Sequence, residues 1–263
     1  MNIGIGIITC NREEFFWKCL NSIDPSIAKA LVVVNDGRPL SKAPPCELIQ
    51  HEKNMGVCLA KNDALRYLLE KDSQHIFLIE DDIIVKNMGV FAEYIRASNI
   101  TGLQHLMFAY SHLESENCLN GKPSPLFIVK YAGVKISCNF HIYGAFVYYS
   151  RKCLDKVGLM DERFNHNAWE HVEHTHRIIK AGMCSPFWAF PDIVNSTDYL
   201  ETQATLKEHS SINSNKVKEF DTLDQTLYKE LHGTYIGQIP GTRPEDTLKL
   251  LAKIKKEHSN VEL

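Results

Sequence analysis

The sequence predicts an α/β chain: a mostly parallel, Rossmann-like central sheet flanked by helices, with a small C-terminal helical appendage. Three observations predict it. Short apolar runs of strand length, Asn2–Thr9, Ala30–Asn35 and His75–Ile79, alternate with stretches of helical periodicity. The first two runs flank one helix, and a strand–helix–strand unit in one sheet is parallel and right-handed. The third run ends on Glu80, Asp81 and Asp82, at the strand end where open α/β sheets bind ligands.

In chain order, the first strand stops at Cys10-Asn11-Arg12. A helix follows over Glu13–Ser22, with Phe16, Leu20 and Ile23 at helical spacing and acidic residues in its first turn. The second strand ends at Asp36-Gly37, and Cys46–Gln50 reads as a short third strand. Asn54 and Gly56 make a turn, from which a helix begins near Val57. Leu59, Leu65, Leu68 and Leu69 supply its apolar face, and Lys61 and Asn62 sit in its early turns. Past the carboxylates, Asn87–Ala97 reads as a helix, His105–Tyr110 as a strand and Ser111–Pro125 as an exposed loop. Phe127–Lys130 and Val134–Cys138 suit a hairpin, Gly144–Tyr149 a strand and Arg151–Val157 a short helix.

A helix over Ala168–Ala181 has two stripes. Trp169, Val172, His176 and Ile179 form one, and Glu170, Glu173, His174 and Arg177 the other, so the helix is expected to turn a greasy side to the sheet and an ionisable side to a cleft. Gly182 closes it. Pro186–Asn195 is a further strand, and Thr197–Asn215 is polar and rich in Ser and Asn. A helix near Leu223–Leu231, a linker over Gly233–Pro244 and a helix over Glu245–Glu257 follow. Leu248, Leu251 and Ile254 form that last helix's apolar stripe, expected to pack on the domain edge, with a membrane-surface or partner contact as the outside option. The expected division is 1–220 for the main domain, in halves 1–110 and 111–220, and 221–263 for the extension.

At 263 residues with 44% hydrophobic and 23% charged residues, the chain can bury one substantial core. A formal charge of −3 gives no reason to expect nucleic acid. The eight cysteines are scattered without a C-x-x-C, which argues against a zinc ribbon and suits reduced thiols in the cytoplasm. The N-terminus lacks the basic and apolar regions of a signal peptide, and no apolar run approaches the roughly 20 residues needed to span a bilayer. The expectation is a cytoplasmic protein, or one peripheral at the inner membrane face.

Three adjacent carboxylates at a buried strand end repel one another; a hard divalent cation with a phosphate ligand would relieve this. The plain alternative is an acidic turn that caps a strand and starts a helix. The histidines at 166, 171, 174 and 176 lack the H-E-x-x-H spacing and a third ligand for zinc.

The pieces T-C-N-R, V-N-D-G, N-M-G with A-K-N, E-D-D, then G-L-M-D-E-R-F with W-E-H-V-E stand in one order over about residues 1 to 210. In that order they resemble an inverting family 2 glycosyltransferase of the GT-A fold. The resemblance implies transfer of a hexose or N-acetylhexosamine from a nucleotide-diphosphate sugar, with UDP as the nucleotide. The acceptor it implies is a glycan or lipid-linked oligosaccharide, as in surface polysaccharide synthesis, and the cofactor is Mn2+ or Mg2+. It places Asp82 on the metal, Glu80 and Asp81 on donor and metal positioning, and Asp36 at the nucleobase, although Asp36-Gly37 read alone is a turn. Thr9 and Arg12 become nucleotide neighbours, and Asn54, Lys61 and Asn62 donor contacts at the ribose or diphosphate. Relatives read Glu-Asp where this chain reads Glu170-His171, so the base falls to Glu170 first and His171 next, with Glu173 as an acceptor contact. His209 is the candidate for a further metal ligand, or else a solvated loop histidine. Trp169 reads as core; Trp188 could stack on a sugar, and Tyr143 and Gly144 fall on the acceptor side. A sugar-nucleotide pyrophosphorylase, or a GT-A module that binds without turnover, are the rival readings. The first is opposed by the lack of a long Gly-rich loop after the first strand, the second by the retained E-D-D.

Overall fold

The computed structural model describes residues 2–111, 115–131, 133–165, 169–203 and 214–259. Its centre is strand β1 (Ile3–Thr9), buried at every position. It pairs in parallel with β2 (Ala30–Asn35) and β4 (His75–Glu80), and β3 (Glu47–Gln50) extends the sheet beside β2. Two antiparallel strands, β11 (Phe146–Ser150) and β6 (His105–Met107), complete the order β3-β2-β1-β4-β11-β6. The Ile/Gly alternation of β1 has a packing reason. Helix α2 (Val57–Glu70) and the turn after it lie so close that a Cβ on Gly6 would sit 2.8 Å from the Ala64 Cβ, and one on Gly4 2.7 Å from the Ser73 Cβ.

The parallel register sets the site. Thr9 lies opposite Asn35, and Ile8 opposite Glu80, so the segments after three strands emerge at one sheet edge. After the carboxylate turn the chain forms strand β5 (Ile83–Val85), paired with β13 (Leu200–Thr202), and only then α3 (Gly89–Thr101). The acidic segment therefore joins two strands rather than starting a helix. A second, antiparallel sheet, β12 (Phe190–Ile193), β10 (Val134–Asn139) and β9 (Phe127–Tyr131), covers the other half.

Several expectations are corrected. The strand from His105 stops at Met107, and that expected over Pro186–Asn195 is confined to Phe190–Ile193. The stretch after Ser111 is not all exposed loop: Asn117 is buried, donating to the carbonyls of Ala109 (2.8 Å) and His141 (3.0 Å). Helix α5 (Glu170–Lys180) is buried on both sides, because the stripe carrying Trp169 meets Phe164 and Tyr228 of the C-terminal helix Ser214–His232. In the last helix, Pro244–His258, Thr247 joins Leu251 and Ile254 in the buried stripe and Leu248 is exposed. That helix packs where α3 ends: Gly102 has φ +79°, and a Cβ there would lie 2.5 Å from the Ile254 carbonyl oxygen. Among the described residues, no helix is long and apolar enough to cross a membrane.

Candidate active site

The repulsion foreseen among Glu80, Asp81 and Asp82 is met by the chain's own cations. Arg12, just past β1, donates from Nη2 to Asp81 Oδ1, and its Nη1 lies 3.4 Å from Asp82 Oδ2. Thr9 Oγ1 donates to the other Asp81 oxygen at 2.7 Å. Burial still pushes the Asp81 carboxyl up to about 7, with the Arg12 charge opposing and Asp82 adding to the rise. Glu80 pairs with Lys61 Nζ at 2.7 Å. Each carboxylate of the turn thus has a cation of the protein beside it.

Asp82 is a buried hard-oxygen donor of the type Mg2+ and Mn2+ favour. Among the described residues no three His, Cys, Asp or Glu side chains form a complete metal cage. These ions are commonly held by one or two carboxylates plus substrate phosphates and water, and Asp82 fits a site of that shared kind. His209 lies outside the described residues.

Asp36, after β2, accepts from the backbone N–H groups of Met55 (2.6 Å) and Gly56 (2.8 Å), and its Oδ1 meets His51 Nδ1 at 2.7 Å. His51 Nε2 reaches Asp63 at 2.9 Å. Burial opposes the His51 charge, but the two flanking aspartates prevail and its pKa is raised. Asp36, expected at the nucleobase, fixes the loop that leads into α2 together with His51, which the sequence pattern did not single out. Asn54 Nδ2 donates to Cys10 Sγ at 3.2 Å, so this loop closes over the end of β1.

Lys61 and Asn62, expected at the ribose or diphosphate, are both buried and paired within the protein. Asn62 is buried and pairs with the Met160 backbone through both ends of its amide, at 2.9 and 3.0 Å, which ties α2 to the segment before α5. Lys61 is enclosed: its ammonium bonds Glu80 at 2.7 Å, Glu170 Oε1 at 2.8 Å and the Gly144 carbonyl at 3.2 Å. Desolvation works against its charge, but the two carboxylates outweigh it and raise its pKa. Gly144 was placed on the acceptor side; its function here is to be small. A Cβ on it would lie 2.8 Å from both Lys61 Nζ and His171 Nδ1.

Of the expected catalytic residues on α5, Glu170 and His171 come together. Glu170 Oε1 lies 3.1 Å from His171 Nδ1 as well as against Lys61. Burial disfavours the Glu170 carboxylate, yet Lys61 and then His171 hold its pKa well below the usual range. Glu173 is elsewhere: Arg177 Nε lies 2.9 Å from each of its oxygens, and His232 Nε2 3.2 Å from one. The same Arg177 donates to the carbonyls of Val157 and Leu159, so this buried cluster anchors α5 and the C-terminal helix. Glu173, expected as an acceptor contact, is here paired with Arg177 and His232. Trp169 is core, with Nε1 donating to Asp221 at 2.8 Å. Trp188 stacks on Phe140 at 4.9 Å and donates to the Ile239 carbonyl.

No family model and no curated protein matches the chain. Solved structures do. S. aureus TarS superposes with TM-score 0.53 at 14% identity over 98% of this chain, which spans 43% of TarS. The Pyrobaculum calidifontis mannosyltransferase in complex with GDP-Man and Mn2+ gives TM-score 0.51 at 10% identity, over 95% of this chain and 68% of that one. GalNAc-T7 with UDP, GalNAc and Mn2+ gives 0.55 at 11% identity, over 99% and 55%. In sheet order and in these neighbours, the chain has a GT-A-type fold.

Proposed function

We propose that this chain transfers a hexose or N-acetylhexosamine from a nucleotide-diphosphate sugar, UDP-linked, to a hydroxyl of a glycan or lipid-linked acceptor, with inversion. The carrying observation is convergence at one sheet edge: Thr9, Arg12 and Asp36 lie where the Glu80–Asp82 turn emerges, and the buried ammonium of Lys61 joins Glu80 of that turn to Glu170, beside His171. Neighbours of the same fold were crystallised with GDP-Man and Mn2+ and with UDP, GalNAc and Mn2+, which supports a nucleotide donor and a divalent cofactor.

In this reading Asp82 holds Mn2+ or Mg2+ together with the donor's diphosphate. When bound, that ion would neutralise the leaving nucleoside diphosphate. Arg12 keeps the carboxylate turn in one geometry, and the Asp36 loop shapes the nucleotide end of the cleft. Pre-set positions of this kind lower the entropic part of the barrier. Attack by the acceptor oxygen on the anomeric carbon, opposite the departing diphosphate, inverts that centre.

The test is release of UDP from UDP-glucose, UDP-galactose, UDP-N-acetylglucosamine and UDP-N-acetylgalactosamine with Mn2+. Turnover of at least one donor, abolished in Asp82→Asn, is expected. Nucleotide binding without release from any donor would instead favour a binding module of the same fold.

A further inference from the structure

We propose that His171 is the general base of the glycosyl transfer, acting through Nε2, and that Glu170 positions it and does not itself take the proton. The inference rests on the transferase reading above and names the proton acceptor within it. Glu170 is 1% exposed, and its Oε1 is shared between Lys61 Nζ at 2.8 Å and His171 Nδ1 at 3.1 Å. Its Oε2 is buried and has no hydrogen-bond partner, so neither oxygen is open to an incoming hydroxyl. His171 is 7% exposed, the more open of the two. Its Nδ1 is committed to Glu170, and its Nε2 bonds no described residue, which leaves that edge for a substrate hydroxyl.

An imidazole whose Nδ1–H is held by a carboxylate presents a lone pair on Nε2, and the carboxylate then stabilises the imidazolium that forms. The surroundings fix this arrangement. Gly144 lets the ring and the Lys61 ammonium pack against backbone, since a Cβ there would come within 2.8 Å of each. Lys61 keeps Glu170 ionised and ties it to Glu80 on the donor side. A carboxylate so strongly stabilised is a poor proton acceptor, whereas its charge is well used against an imidazolium. The ionisable groups around the dyad are Lys61 and Cys58 from α2, Glu80 from β4, His105 from β6 and Tyr149 from β11.

In the transfer step the acceptor oxygen bonds the anomeric carbon while the bond from that carbon to the diphosphate oxygen breaks. The electron pair leaves with the nucleoside diphosphate, and the hydroxyl proton passes to His171 Nε2.

Two measurements test this on the full chain. With 15N-labelled histidine, the ring resonances lost in His171→Asn identify His171, and the wild type should show the neutral Nδ1–H tautomer. With Mn2+ and the donor that turns over, His171→Asn should lower kcat about a hundred- to ten-thousand-fold while donor KM and UDP binding stay near wild type. Glu170→Gln should weaken the tautomer preference and move the pH profile of kcat, which a purely structural role would not do. An Nε2–H tautomer in the wild type, or wild-type kcat in His171→Asn with UDP still bound, would overturn the base assignment and leave the transferase reading standing. Failure of the wild type to bind any nucleotide would sink that reading and the base with it.

Discussion

The Lys61 ammonium and the Glu170 carboxylate meet 2.8 Å apart, and each side chain is only 1% exposed. They come from α2 and α5, so one ion pair joins the helix that follows the Asp36 loop to the helix that carries the proposed base. Removing one partner of a buried pair leaves the other charge uncompensated, at about 3–5 kcal/mol. Lys61→Met should cost that much in chemical denaturation, since it strands Glu170 and also releases Glu80. The double variant Lys61→Met/Glu170→Gln should recover part of the loss. An additive double variant would mean that the two residues act independently.

Gly144→Ala probes the same junction from the backbone side. The added methyl would press on Lys61 Nζ and the His171 ring, each 2.8 Å away. Overpacking of this kind costs about 1–3 kcal/mol. Donor turnover should fall by more than nucleotide binding does, because the methyl strikes the proposed base directly and reaches the carboxylate turn only through Lys61. Equal losses in both would place Gly144 in general folding alone.

Buried neutral histidines should make stability fall in acid. Burial lowers His105 to about 4 and His174 to about 3. Unfolding lets each ring protonate near its ordinary pKa of about 6.5, so the stability present above that value is lost as the pH falls toward the folded pKa. At pH 5 the loss is about 2 kcal/mol per histidine. Asp81 and Asp192, each raised to about 7 chiefly by burial, act in the opposite sense: they are protonated first in the folded state and gain stability as the pH drops. Comparing wild type with His174→Gln at pH 7.5 and pH 5 isolates the histidine. The variant should lose less stability over that interval, and an equal loss would contradict a neutral buried His174.

The last helix, Pro244–His258, offers a fourth check. Gly102→Ala would force a side chain onto a φ of +79° and to within 2.5 Å of the Ile254 carbonyl oxygen. Limited proteolysis should then cut the segment after Pro244 faster than in wild type, while an unchanged pattern would show that this helix docks without the Gly102 contact.

The framework was legible because buried parallel strands read as short apolar runs, and β1, β2 and β4 are such runs. The carboxylate turn was legible from its place after β4. Side-chain destinations were less so. Lys61 sits in an early turn of α2, where a lysine looks like a ligand contact; nothing local shows that Gly144, Glu80 and Glu170 converge on it. Periodicity assigns Glu170, Glu173 and His174 to a polar face, but that face is covered, and the charges are accommodated by Lys61 and Arg177. In the last helix Thr247 took the place expected for Leu248, a shift of one residue that a mixed Leu/Lys pattern does not resolve.

The proposed transfer requires a nucleotide-diphosphate site completed by a divalent cation at Asp82. The most direct measurement is thermal stability of wild type and Asp82→Ala with UDP, GDP, CDP or ADP, each with and without Mn2+. A nucleotide held at 100 times its Kd stabilises the folded state by about 2.7 kcal/mol. A shift with UDP that needs both Mn2+ and Asp82 is expected. Stabilisation by no nucleotide, or by UDP equally in Asp82→Ala, would contradict it.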